Sequence, residues 1–183
     1  MGTAPPPTKN IEVVKAAGAA DCYLLRNIRV KHNKAVSSGG APRERSFDPS
    51  PFGPHVGPPH QQADGAYLTE PEEAAVVASL NDGRMAIQYA PDLPEEIQLE
   101  LKGLYDSMYG GTLLFPNDTM HYAVAATTWT NLLACSGYDG AATLNAIRAF
   151  GKATWGKYGN VSVTKYPAEG PTPAHPEEPS KSG

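Results

Sequence analysis

The chain has 183 residues, enough for one domain with a modest core and too few for two comfortable ones. Its formal net charge is −4 and it has no long run of lysine or arginine, which argues against a nucleic-acid partner. No apolar run approaches the roughly 20 residues that span a bilayer, so no transmembrane segment is expected.

Residues 1–10 are rich in proline and predict an extended arm. They lack the charged start and the apolar stretch of a secretory signal, so no export signal is recognised in them. This pattern fits either a cytoplasmic chain or a chain from which an export segment was removed.

Residues 11–158 have the pattern of one α+β domain. Apolar residues near helical spacing predict a first helix from Ile11 to Cys22, and a loose alternation predicts a strand from Tyr23 to Val30. The next segment, 31–65, holds six of the 18 prolines and three of the five histidines. We expect this segment to be a long irregular loop.

The part from 66 onward has clear helix and strand signals. Thr69 and Glu72 have the spacing of a capping box, which predicts a helix that ends at Gly83, a C′ glycine. Residues 84–89 then alternate as a strand.

A second capping box, Asp92 with Glu95, precedes an amphipathic helix. Two strands at 112–115 and 120–128 follow, joined by a tight turn, and Asp139 caps a last helix. Strands joined in this way should pair antiparallel. The sequence therefore predicts an α+β fold in which helices pack on one face of a small antiparallel sheet, with long Pro-rich irregular segments.

The tail, residues 159–183, begins with the alternating residues Val161, Val163 and Tyr166 and continues with the proline-rich composition of an extended linker. Such a segment can add as a strand to the sheet edge of a neighbour. We therefore expect homo-oligomers or filaments formed through the terminal arms.

The two cysteines, Cys22 and Cys135, are 113 positions apart. They are either two buried free thiols or a disulfide, which would stabilise the fold by about 4–5 kcal/mol in the chain-entropy model. Neither has a second cysteine close by, which excludes a CxxC redox motif and a zinc knuckle.

Several segments resemble one bacterial family, labelled domain of unknown function 3105. The run Val77-Ala78-Ser79-Leu80-Asn81-Asp82-Gly83-Arg84-Met85-Ala86-Ile87-Gln88-Tyr89 is similar to its signature, Val-His-Ser-Leu-Glu-His-Gly-Arg-Val-Val-Ile-Gln-Tyr. Further similar segments are Ala16–Cys22, Pro49–His55, Gly65–Tyr67, Ala125–Trp129 and Leu133–Cys135. The resemblance covers about residues 11–158.

The resemblance implies an extracytoplasmic or secreted protein, and it therefore favours a disulfide between Cys22 and Cys135. It also implies a metal site, because two histidines four residues apart on a helix and a third from the Pro-rich loop can bind one ion. Here the loop histidine, His55, is present, but Ala78 and Asp82 occupy the helix positions and Asn81 replaces the glutamate. His55 and Asp82 are thus the only predicted metal ligands, for copper or zinc, of a degenerate site.

No motif places a nucleophile beside a base, and no Gly-x-Ser-x-Gly is present. Asn117-Asp118-Thr119 and Asn160-Val161-Ser162 match the N-glycosylation pattern, which we attribute to chance in a bacterial chain. We expect a non-catalytic extracytoplasmic structural or interaction module without a resident cofactor. The alternative is a metal-binding, copper-like protein with a degenerate histidine site.

Overall fold

The computed structural model describes residues 10–30, 35–36, 47–57, 60–108 and 111–154. The helices in this part of the chain are α1 (Asn10–Ala19), α2 (Glu73–Asn81), α3 (Glu95–Ser107) and α4 (Gly140–Thr154). The strands are β1 (Cys22–Leu25), β2 (Ala35–Val36), β3 (His55–Val56), β4 (Gly65–Ala66), β5 (Met85–Tyr89), β6 (Thr112–Pro116), β7 (Val124–Thr128) and β8 (Asn131–Cys135). The predicted tail, and all of the predicted N-terminal arm except Asn10, lie outside the described residues.

Six strands form one mixed sheet in the order β1-β8-β7-β5-β6-β4, and β2 and β3 form a separate parallel pair. The predicted α+β class is confirmed. The prediction of an antiparallel sheet is wrong for two of the five strand pairings in this sheet. Strand β5 pairs antiparallel with β7 but parallel with β6, and β4 is also parallel to β6.

The predicted pairing of the strands now seen as β6 and β7 is also wrong, because the two strands flank β5 instead. Where β5 ends, Asn117 donates its N–H to the Tyr89 carbonyl and Ala90 donates to the Ala123 carbonyl, both at 2.9 Å. The connection from β6 to β7 thus passes over the end of β5. Every residue of β5 is buried, so its peptide groups need partners along both edges.

Helices cover both faces of the sheet, and the prediction that they cover one face is wrong. Met85 and Ile87 of β5 pack into the core that contains α1, α3 and α4. The intervening Ala86 packs on the other side, with Val77 and Leu80 of α2. A strand buried on both faces needs cover on both, because its successive side chains point in opposite directions.

Strand β8 has no counterpart among the predicted elements. Its sequence, Asn-Leu-Leu-Ala-Cys, is a short apolar run without alternation, a pattern shared by buried strands and buried helix segments. In the structure it forms a hairpin with β7 through a two-residue turn, Trp129-Thr130, and it lies between β7 and β1.

Gly83 is the C′ residue of α2, as predicted, and follows the C-cap residue Asp82. This glycine has a φ of 93° and donates its N–H to the Leu80 carbonyl, while the next N–H, of Arg84, reaches the Ser79 carbonyl at 3.0 Å. These two bonds form a Schellman motif, which satisfies carbonyls of the last helical turn.

Both predicted capping boxes are wrong. Helix α2 begins after Glu72 and α3 begins after Pro94, and neither flanking residue makes a side-chain cap hydrogen bond. The reason is proline: Pro71 and Pro94 each keep the preceding residue out of the helical region, so Thr69 and Asp92 stand too far upstream.

The N-terminal elements are attached to the sheet by a disulfide. Helix α1 packs against α4 and β1, and β1 pairs antiparallel with β8 so that Cys22 lies opposite Cys135. These cysteines form a disulfide with Cα atoms 4.2 Å apart, and no described residue is a free cysteine. Among the described helices, none has the length and apolarity to cross a membrane.

Candidate functional site

His55 belongs to β3, which packs against α2. Its neighbour Val56 packs against Ala74 and Ala78 of that helix. The Nδ1 atom of His55 is 2.9 Å from the Gly53 carbonyl, and a carbonyl only accepts, so Nδ1 carries the proton of this bond. In the neutral ring, Nε2 then keeps its lone pair, the arrangement found in metal-binding histidines.

The His55 ring lies edge-on to the Trp129 ring, with centroids 5.9 Å apart. Trp129 is buried in the β7–β8 turn, and the following Thr130 has a φ of 64°, which is rare for a β-branched residue. Two hydrogen bonds hold this conformation: Thr130 donates to the Pro51 carbonyl and accepts from Ile28, each at 3.0 Å. The similar segments Pro49–His55 and Ala125–Trp129 therefore meet at one end of the sheet.

Asp82, the second predicted ligand, follows the last turn of α2. Burial raises the pKa of its carboxyl above 3.8, while the charge and hydrogen bond of Arg84 and the charge of His55 act in the opposite direction. His55 and Asp82 are therefore close enough to interact electrostatically. The carboxylate itself contacts Arg84 Nη1 at 3.2 Å, so a cation there would compete with a guanidinium.

The described residues contain no group of three or more His, Cys, Asp or Glu side chains able to hold a metal ion. Ala78, at the other position implied by the resemblance, is buried against Val56. Asn81, beside Asp82, has a buried Oδ1 atom without a hydrogen-bond partner. These positions thus offer a metal ion one nitrogen from His55, the carboxylate of Asp82, which is already paired with Arg84, and one amide oxygen from Asn81.

Arg84 connects three segments through Asp64. Its Nε atom contacts Asp64 Oδ1 at 2.7 Å, and Asp64 Oδ2 accepts the Gly111 N–H at 2.8 Å. Asp64 is 1% exposed. Twenty positions separate this carboxylate from Arg84, so no local pattern predicts the pair. The arginine of the signature thus has a structural partner.

A small cleft lies between the 48–50 segment and the β5–β6 ends. It has a volume of about 20 Å³ and is lined by Glu70, Glu73, Gln88 and Asn117, among others. Asn117 donates from Nδ2 to Gln88 Oε1 at 2.7 Å and accepts the Thr119 N–H at Oδ1. A space of this size holds about one water molecule, so this cleft does not fit an organic substrate.

Ser79 also lacks the surroundings of a nucleophile. Its Oγ atom donates to the Gln62 carbonyl at 2.6 Å and lies 3.1 Å from the Ala75 carbonyl, and the residue is fully buried. These contacts attach the loop at 60–64 to α2. The hydroxyl therefore has a structural role, and no described base contacts it.

The outer side of β1 is a sheet edge with unpaired peptide groups. Cys135 accepts the Ala123 N–H on its β7 side, so its peptide groups point away from β1. In an antiparallel ladder the groups of the opposite residue, Cys22, then point away from β8, and those of Leu24 do so as well. No hydrogen bond reaches these outward groups from the described part of the chain.

We call the outward side of Cys22–Leu25, with the 57% exposed side chain of Tyr23, the β1 edge. Its sequence, Cys-Tyr-Leu-Leu, contains neither a charge nor a proline, the usual devices that protect a free edge. The neighbouring helix α1 adds an exposed apolar residue, Val14. The alternation at 23–30 predicted a strand here, but its edge position depends on β8, which the sequence did not reveal.

Neither a curated protein nor a solved structure matches the chain. One family, described as "Protein of unknown function (DUF3105)", matches residues 45–162. The match is well over half of the chain, and it includes β3 to β8 and α2 to α4, whereas α1 and β1 precede it. It therefore contains His55, the signature at the end of α2 and the Trp129 turn. The chain belongs to the DUF3105 family, as the resemblance of its signature implies.

Proposed function

We propose that this chain is a non-catalytic extracytoplasmic interaction module that self-associates through the β1 edge. The observation that carries the proposal is the row of outward peptide groups at Cys22 and Leu24 on an apolar strand without a protecting charge. Such an edge is a template for another strand, because each added backbone hydrogen bond satisfies groups on both chains.

The disulfide makes this edge a defined surface. Cys22 belongs to β1 and is bonded to Cys135 on the neighbouring strand, so the strand is tied covalently to the sheet. A surface ordered before binding loses less conformational entropy on association. A strand held in this way is a better recognition surface than a strand whose end can separate from the sheet.

The same disulfide supports an extracytoplasmic location, since structural disulfides persist mainly in oxidising compartments. The test is alkylation of thiols in protein taken directly from its native cells, followed by mass spectrometry. We expect neither cysteine to be modified before reduction. Full modification of Cys22 and Cys135 in unreduced protein would contradict this location.

Self-association is tested by sedimentation velocity of the full chain over a range of concentrations. Tyr23→Lys places a charge on the exposed face of the β1 edge and should raise the dissociation constant at least about tenfold. Leu99→Lys is the matched control, because Leu99 is 63% exposed on α3. Equal effects of the two substitutions, or none, would contradict the assignment of this edge.

A weak site for a single metal ion is the second candidate function. It is favoured by His55, whose Nδ1–H bond to Gly53 leaves Nε2 as a ligand, and by the nearby Asp82. Calorimetric titration with Cu(II) and Zn(II) tests it, with His55→Ala as the variant and His121→Ala, an exposed histidine, as the control. Binding that is the same in both variants would reject this site.

A further inference from the structure

The β1 edge offers a strand of limited length to a partner. The outward peptide groups of Cys22 and Leu24 provide two N–H donors and two carbonyl acceptors. Beyond Leu25, the residues from Arg26 onward leave the ladder with β8. A complementary segment therefore needs only four to six extended residues, about the usual length of a strand.

One segment of the chain fits this requirement. Residues 160–166, Asn-Val-Ser-Val-Thr-Lys-Tyr, contain neither glycine nor proline and alternate apolar with polar residues at Val161 to Thr164. β-branched residues favour strands, and Pro167 ends the segment because it donates no ladder hydrogen bond. Building on the proposed function, we propose that residues 161–166 of one copy add as a strand to the β1 edge of a second copy.

The position of α4 favours a second copy over the same chain as the acceptor. Near its end, Gly151 faces the Met85 side chain of β5, which is three strands away from β1 in the sheet. Helix α1 packs against both α4 and β1. A tail that leaves α4 here starts three strands away from the β1 edge of its own chain, whereas a second copy can bring its edge directly to the tail.

Each copy then donates one tail and accepts another, so the contact is heterologous. Such contacts produce an open-ended assembly unless their rotation closes a ring. The mass of the assembly should accordingly rise with protein concentration and pass beyond that of a dimer.

The test uses full chains that are blocked on one side only. Val163→Pro removes an N–H from the donated strand, with Ala168→Pro as its control outside the strand, and Tyr23→Lys blocks the accepting edge. Each blocked chain should associate at least about tenfold more weakly than the wild type, a loss of the size expected from one backbone hydrogen bond or from a charge placed at the edge. An equimolar mixture of the two should form a 1:1 heterodimer that does not grow, because one intact tail meets one intact edge.

Three results would overturn the inference. Association that is lost in Tyr23→Lys but unchanged in Val163→Pro rejects the tail as donor and leaves the β1 edge as the site of assembly. Failure of the mixture to form heterodimers rejects donation between copies. A wild-type chain that remains monomeric at all concentrations rejects both this inference and the self-association in the proposed function.

Discussion

Replacing Asp64 by asparagine should destabilise the fold strongly, because this carboxylate is the centre of a buried network. Asp64 is 1% exposed, contacts Arg84 Nε at 2.7 Å and accepts the Gly111 N–H at 2.8 Å. Asparagine keeps one acceptor oxygen for Gly111 but presents an NH₂ group to Arg84, so two donors face each other. Arg84 then keeps only the more exposed of its two carboxylate partners, Asp82.

The expected loss is about 3 kcal/mol of unfolding free energy, the lower end for breaking a buried pair, since Arg84 is partly exposed. Urea unfolding followed by circular dichroism at pH 7 measures this loss. The matched control is Asp82→Asn. Asp82 is 30% exposed and lies 3.2 Å from the same arginine, so its replacement should cost less than about 1 kcal/mol.

Equal losses in the two variants would refute the reasoning, since burial would then not distinguish the two carboxylates. Arg84→Gln provides an additional check. Combined with Asp64→Asn it should cost clearly less than the sum of the two single changes, because both remove the same interaction.

Three further predictions follow from backbone conformation, the disulfide and a half-buried phenol. Gly83→Ala should lower the free energy of unfolding by about 1–3 kcal/mol because Gly83 has a φ of 93°, whereas Gly103→Ala, in mid-helix with open space around it, should raise it by about 0.5–1 kcal/mol. Urea unfolding curves that show a loss of stability in both variants would contradict this prediction. Replacing Cys22 and Cys135 by alanine should lower the free energy of unfolding by about 2–5 kcal/mol, and an unchanged midpoint would show that the crosslink adds no stability. Burial and the charge of a nearby carboxylate raise the pKa of Tyr105 to about 12, so its stabilising contribution is complete below pH 10 and is lost as the pH rises from 10 to 12. Absorbance titration against a Tyr105→Phe variant should show one phenolate that appears near pH 12, and a midpoint near 10 would refute this prediction.

Local signals in the sequence predicted local features well. Gly83 ends α2 because only glycine adopts its backbone angle without strain, and this requirement is visible in the sequence. The amphipathic stripe of α3 likewise contributes Leu101 and Leu104 to the core. The capping boxes failed where a second local rule, the effect of Pro71 and Pro94 on the preceding residue, prevailed over the first.

The arrangement of the sheet depends on distant partners, and the sequence did not reveal it. β5 has its two neighbours on either side because all its residues are buried, and β8 carries no alternation that would mark it as a strand. At the candidate site, too, local sequence predicts single residues but not the contacts between distant ones. His55 was predicted from its segment, whereas its contact with Trp129 and the Asp64–Arg84 pair connect residues far apart in the chain.

The hydrogen bonds of Asn117 bear on covalent modification. Asn117-Asp118-Thr119 has the pattern of a glycan acceptor, yet this asparagine is 4% exposed and its amide nitrogen donates to Gln88 inside the fold. An oligosaccharyltransferase needs that nitrogen free and the surrounding backbone extended. In a host that attaches sugars to asparagine, this position accepts one only while the polypeptide is still unfolded.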